Sequence, residues 1–204
     1  ELPSGATHSI RKKWGLPEHA CLVVMAGFTR PWHGHEKLIS ALVHLDERYE
    51  VVLVGSESAE VTEGVMSFCK ERGVQDRVHV IAWQPHESVD EIVYACDVGV
   101  SPLALEVKKM REARSLKVRH YFTMGLPVVL AGEESDAVSN SGFCEKLKST
   151  EPQEIAKAIR NVAAKRVDRE TVRALVREKL TWGAIARETF DFLRGLSEHE
   201  GTSE

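Results

Sequence analysis

E-A-R-S-L-K-V-R-H-Y-F-T-M-G-L-P-V-V-L, Glu112 to Leu130, holds a helix start, a helix, a Gly-Pro break and a buried strand within nineteen residues. Ser115 stands where an N-cap belongs, and Leu116, Tyr121 and Met124 fall on one helical face. Gly125 ends the helix, and Pro127 keeps it from resuming. Val128 to Ala131 is a short apolar run, suited to a strand buried on both sides. A polar loop feeding a helix start leaves N–H groups that the helix itself does not bond, which suits an anion. Lys117 adds a positive charge in the first turn, so the stretch is expected to hold the phosphates of a nucleotide ligand.

The same alternation runs through the chain upstream. Short apolar runs at Cys21–Ala26, Val51–Val54, Val78–Ile81 and Val98–Val100 read as strands. Between them, helical spacing appears at Ser9–Trp14, Glu36–Leu45 and Val61–Arg72, and from a cap at Ser88 through Cys96. Downstream, Phe143–Lys146 is a short sixth strand, and Pro152–Ala164, Arg169–Leu180 and Thr181–Leu196 read as helices. Strands alternating with helices predict right-handed βαβ units. The fold expected is α/β, a Rossmann-like open parallel sheet of about six strands with helices on both faces and C-terminal helices. Ligands of such sheets bind beyond the carboxyl ends of the strands, where the loops starting at Gly27, Gly55, Ala82, Pro102 and Ala131 converge.

Composition sets the outer bounds. With 204 residues, 43% hydrophobic and 28% charged, the chain is an ordinary globular composition with enough length for one well-buried core. A net charge of −4 argues against a general nucleic-acid binder. No apolar run approaches the length of a transmembrane helix, and E-L-P-S-G-A-T-H carries no signal core. Residues 1–8 read as a linker remnant, 9–196 as one domain and 197–204 as a disordered tail. The four cysteines are widely spaced, as reduced core thiols are.

Several side chains have two readings each. Between Gly27 and Gly34 lie Arg30, Trp32 and His33, and this loop lacks G-x-G-x-x-G spacing. Arg30 can fork onto a phosphate, or the loop is structural with an exposed Arg and a packed Trp. Trp83 and Gln84 either meet a base or cover the sheet edge. Glu57 and Glu60 read as a solvated face. Glu112, behind Lys108-Lys109-Met110-Arg111, either accepts from sugar hydroxyls or belongs to a flexible charged loop. No His sits with a Cys or carboxylate at metal-ligand spacing, and there is no G-x-S-x-G, so neither a metal nor a serine triad is expected.

Five motifs in order resemble the family-4 glycosyltransferases. S-L-K-V-R-H-Y-F-T-M-G-L-P-V-V resembles the family's P-x-K-x-x-E-Y-M-A-x-G-x-P-V-V, and G-F-T-R-P-W-H-G its glycine-bounded first loop. D-R-V-H-V-I-A-W-Q-P, V-Y-A-C-D-V-G-V-S-P and L-T-W-G-A-I-A-R-E are similar to its later segments, so the likeness runs over about residues 8 to 195. It implies the carboxyl-terminal, nucleotide-sugar-binding domain of a GT-B enzyme. Such enzymes face a donor domain with an N-terminal domain that carries the acceptor site, here expected upstream in the same chain.

The resemblance implies Arg30 and His33 near the diphosphate, with His33 where many members have Lys and Phe28 where many have Arg. It puts the phosphates at Ser115, Leu116, Lys117 and Val118, the base at Trp83-Gln84, and Gly27, Gly34 and Gly55 close to the ligand. The family's Glu-x7-Glu pair falls on Glu112, which would stand catalytically near the donor sugar, and on His120. His120 replaces the Glu that commonly accepts from ribose; a neutral His can accept one such bond without charge. The expected ligand is the substrate itself, a GDP- or UDP-linked sugar, with no resident cofactor and no nucleic acid. The implied activity is retaining hexosyl transfer to a glycan or lipid-linked acceptor in polysaccharide biosynthesis, with the 204-residue piece alone inactive. The implied location is cytoplasmic, at most peripheral to the inner membrane face. Two other readings stay open: a non-catalytic donor-like module that partners another chain, and a GT-B sugar-nucleotide epimerase.

Overall fold

The computed structural model describes residues 6–110, 115–165 and 167–200, with side chains through 194. In chain order its elements are α1 (Thr7–Lys13), β1 (Cys21–Ala26), α2 (His35–Leu42), β2 (Tyr49–Ser56), α3 (Ala59–Glu71), β3 (Val78–Ala82) and α4 (His86–Tyr94). There follow β4 (Val98–Val100), α5 (Leu116–Thr123), β5 (Val128–Leu130), α6 (Asp136–Ser139), β6 (Cys144–Lys146), α7 (Pro152–Ala164), α8 (Arg169–Leu175) and α9 (Trp182–Glu200). The six strands form one parallel sheet in the order β3-β2-β1-β4-β5-β6. That is the Rossmann-like fold the alternation predicts, with the order reversing between β1 and β4.

Burial follows the two-residue period of β1. Leu22, Val24 and Ala26 pack on one face with Ile92 and Val93 of α4, Val118 and Phe122 of α5, and Val172 of α8. Val23 and Met25 pack on the other with Leu38 and Leu42 of α2, Cys69 of α3, and Ile155 and Ile159 of α7. Both faces are covered, which is why the strands read as continuous apolar runs rather than alternating ones. All four cysteines are free thiols.

At the switch point the sheet opens. β1 and β4 pair only at Val23–Val98 and Val24–Gly99. Further along, the Ala26 N–H donates to the Tyr121 hydroxyl at 2.9 Å instead of to a strand. The Tyr121 ring lies against Gly99, where any side chain would collide with it. One buried phenol thus satisfies the last donor of β1 and fixes α5 over the crevice.

Some boundaries differ from the sequence reading. α4 begins at His86 behind Pro85, whose φ of −56° and ψ of 155° set the helix entry, and Ser88 sits inside the first turn rather than capping it. Gly55 lies within β2, at the irregularity where β2 and β3 shift register. The helix expected through Leu180 changes to a π turn over Val176–Leu180. α9 continues to Glu200, so Ser197–Glu200, assigned to a disordered tail, are helical; nothing in S-E-H-E breaks a helix. The apolar stripe of α9 forms as spaced, but Trp182, Phe190 and Leu193 face solvent. Among the described residues no helix is long and apolar enough to cross a membrane.

Candidate functional site

The crevice beyond β1 and β4 is floored by Gly27 and roofed by the first turn of α5. Gly27 has φ +113°, and a Cβ there would come within 2.1 Å of Lys117 Nζ and 3.8 Å of His33 Cε1. Only a residue without a side chain leaves that space. Lys117 is half-buried, and its ammonium makes no hydrogen bond or ion pair among the described residues. Burial alone pulls its pKa down from the ordinary lysine value to about 8. A cation withdrawn from water without a counter-charge is an open demand for an anion.

His33 forms the wall beside it. The ring is buried, and its Nδ1 lies 2.5 Å from the Phe28 carbonyl oxygen. A carbonyl only accepts, so Nδ1 carries the proton and Nε2 is left as the lone pair. Desolvation first, then the charge of Lys117, lowers the pKa of His33 to about 4. His35, buried behind it with the rings 5.7 Å apart, is lowered to about 4 by its own burial, then by His33 and Lys117. At neutral pH both rings are uncharged, so His33 does not supply the fixed charge of the lysine for which it stands.

Other candidate residues are engaged elsewhere. Arg30 pairs with Glu57 at 2.5 Å and lies over the Phe28 ring. Glu57 is exposed, as a solvated face requires, and the end of β2 also brings it to Arg30 in the neighbouring loop. Gly55 backs the floor, since a Cβ there would meet the Gly27 carbonyl carbon at 2.9 Å. Gly34 turns the chain into α2 against Leu103. Lys108 lies 3.7 Å from the centre of the Trp32 ring, and Lys109 has a left-handed φ of +53°, uncommon for a residue with a side chain.

The start of α5 differs from the expected row of open donors. Ser115 N–H donates to Glu134 Oε1 at 2.9 Å, Lys117 N–H to Ser115 Oγ at 3.3 Å, and Val118 N–H to the Ser115 carbonyl at 3.1 Å. Of the four, Leu116 alone keeps an N–H without a partner among the described residues. Ser115 is the N-cap as read, and its own N–H is taken by a buried carboxylate from nineteen residues away. Arg119 stands 3.8 Å from the other oxygen of Glu134.

Across the crevice, the Trp83 backbone N–H donates to the Ser56 carbonyl at 2.8 Å, and the residue is 59% exposed. It lines an open groove of about 470 Å³ with Ser56, Glu57, Ser58 and Thr62. β3 and β1 lie two strand spacings apart, so this groove is about 10 Å from Gly27. Gln84 is half-buried beside it.

His120 lies one turn below Lys117. Its Nε2 is 2.7 Å from Asp90 Oδ1 of α4, and His86 Nδ1 is 3.1 Å from the same oxygen. Neither Asp90 nor Glu134 stands near its α5 partner in sequence. Glu112 lies outside the described residues. Among those described, no group of three or more His, Cys, Asp or Glu is placed to hold a metal.

Comparison with known proteins follows the same outline. The sequence pattern of the family described as Glycosyl transferases group 1 matches residues 7–178. The chain is 29% identical over 134 residues to a D-inositol 3-phosphate glycosyltransferase of Xylanimonas cellulosilytica, a match covering 64% of this chain and 31% of that protein. The C-terminal domain of a glycosyl transferase group 1 protein, LpcC of Francisella tularensis, superposes with a TM-score of 0.71 at 12% identity, over 89% of this chain and 96% of that one. Anabaena HepE, solved with UDP and glucose, gives a TM-score of 0.62 at 19% identity, over 88% of this chain and 52% of that one. At such identities the structures share the fold. The chain spans less than a third of the curated relative.

Proposed function

The chain belongs to the glycosyl transferases group 1 family, and we propose that it is the donor-binding half of a retaining glycosyltransferase. In this role it holds a GDP- or UDP-linked sugar whose hexose passes to a glycan or lipid-linked acceptor. The observation that carries the proposal is Lys117: a half-buried ammonium without a partner among the described residues, standing over Gly27 at the switch point. A diphosphate there neutralises the lysine and meets the Leu116 N–H. As the bond from sugar C1 to the phosphate oxygen breaks, negative charge grows on the leaving nucleoside diphosphate. A fixed cation and N–H donor aimed at that charge lower the barrier by about 3 kcal/mol per donor in comparable sites. The groove beside Trp83, roughly two strands away, suits the base, with the ribose spanning the interval. The HepE complex with UDP and glucose supports a ligand of this class.

Glu112 is proposed to meet the donor sugar. The acceptor is assigned to a second domain outside these residues, and the activity to the cytoplasm, with lipid-linked acceptors met at the inner membrane face. Calorimetric titration of the 204-residue chain with UDP, GDP and their sugars tests the donor assignment; no saturable binding at millimolar concentration overturns it. One observation favours a second reading, a non-catalytic donor-like module: Arg30 is held by Glu57 and His120 by Asp90. His120→Glu separates the two, since a degenerate site should regain nucleotide affinity on restoring the carboxylate.

A further inference from the structure

His86, Asp90 and His120 form a cluster on the rim of the crevice, where the starts of α4 and α5 both open. His120 Nε2 and His86 Nδ1 approach one oxygen, Asp90 Oδ1, at 2.7 and 3.1 Å, and the two rings lie 5.5 Å apart. The His120 nitrogen is hydrogen-bonded to that oxygen, and His86 Nδ1 stands within ion-pair distance of it. An ionised carboxylate only accepts, so Nε2 of His120 carries the ring proton and Nδ1 is the unprotonated nitrogen. Nothing among the described residues donates to Nδ1. Burial keeps the ring neutral against the pull of Asp90. His86, largely exposed, stands beside the same oxygen.

We propose that Asp90 is a positioning residue of the donor site: it accepts a hydrogen bond from the Nε2–H of His120 and so presents Nδ1 as the acceptor for a hydroxyl of the bound nucleotide. The assignment rests on the donor-binding function proposed above. Lys117 and His120 are three residues apart on one face of α5, about 4.5 Å along the helix axis. A ligand whose phosphates rest on Lys117 brings its next polar groups, the hydroxyls of its ribose, to the following turn. There the hydroxyl meets a neutral acceptor whose orientation is fixed by a carboxylate on a neighbouring helix. The negative charge expected at position 120 is present, set one hydrogen bond back on α4.

The experiment uses the 204-residue chain as wild type, Asp90→Leu, Asp90→Asn and His120→Ala. Each is titrated with UDP and GDP, then with the 2′-deoxy and 3′-deoxy forms of the tighter binder, and with pyrophosphate. Wild type should prefer the ribonucleotide over at least one deoxy form by about tenfold. Asp90→Leu and His120→Ala should erase that preference while changing pyrophosphate affinity less than about twofold. Asn can still accept from Nε2–H, so Asp90→Asn should keep part of the preference. Nitrogen-15 spectra of the histidine rings should show His120 protonated at Nε2 in wild type and a mixture of tautomers in Asp90→Leu. Retained ribose preference in the Leu variant, or protonation at Nδ1 in wild type, overturns the proposal. If circular dichroism shows that the Leu variant does not fold, the Asn and His120→Ala variants decide. If wild type binds pyrophosphate but neither nucleotide, or binds nothing, the donor assignment itself falls and this one with it.

Discussion

The two edges of the sheet use their cations in opposite ways. At the amino edge, buried Arg11 donates to the carbonyls of Ala95, Pro17, Glu18 and Ala20 and to Asp97, whose carboxylate also accepts from Leu22 N–H. Arg77 holds the carbonyls of Leu42, Leu45, Asp46 and Tyr49, and Arg169 those of Tyr94 and Cys96. These guanidiniums tie off helix ends and strand starts. At the carboxyl edge Lys117 touches no acceptor among the described residues, Arg30 has a surface pair, and Lys108 rests on an indole. One edge is closed by its cations, and at the other Lys117 is left without an acceptor among the described residues.

The sharpest way to break this contrast is Arg11→Met. It strands several carbonyls and a carboxylate, so urea unfolding should show a loss of about 3–5 kcal/mol. A loss below about 1 kcal/mol would mean that water replaces the guanidinium. Acid should separate the edges next. His33 and His35 are lowered to about 4 from ordinary values near 6.5. A lowered histidine favours the neutral folded form, so stability is complete above pH 6.5 and falls as the pH drops toward 4, by a few kcal/mol. His33→Gln with His35→Gln should flatten that part of a stability–pH curve.

Lys117→Met should reverse the Arg11 pattern: stability unchanged or higher, since an unpaired cation leaves the interior, and nucleotide affinity down roughly thirtyfold, about 2 kcal/mol. In wild type the affinity should decline as the pH rises past about 8, where Lys117 loses its proton. Arg30→Ala should matter least. Its exposed pair with Glu57 contributes under about 0.5 kcal/mol to unfolding, and a large loss of nucleotide affinity would show that Arg30 leaves Glu57 for the phosphates.

The sheet was legible because both its faces are covered: a doubly buried strand such as Cys21–Ala26 announces itself as an apolar run, and Gly125-Pro127 marks the break before β5. Lys117 and Gly27 were legible as well, since position after a strand or at a helix start places a residue at the carboxyl edge. Asp90 and Glu134 were not. They meet their partners in α5 and at its N-cap across thirty and nineteen residues respectively, through packing of elements that no local spacing encodes. For the same reason the pairing of Arg30 with Glu57 was not legible. The arginines of the amino edge carry no mark in the sequence of what they bond.

The bond from the Ala26 amide to the Tyr121 hydroxyl gives the molecule a gauge of its own. That proton can exchange with solvent only when α5 lifts from the end of β1, so its exchange rate reads the opening of the crevice directly. An anion that bridges Lys117 to the floor at Gly27 must slow it, while the amides around Arg11 keep their rates. A single backbone proton, followed with and without ligand, therefore times the gap between helix and strand without any label being introduced there.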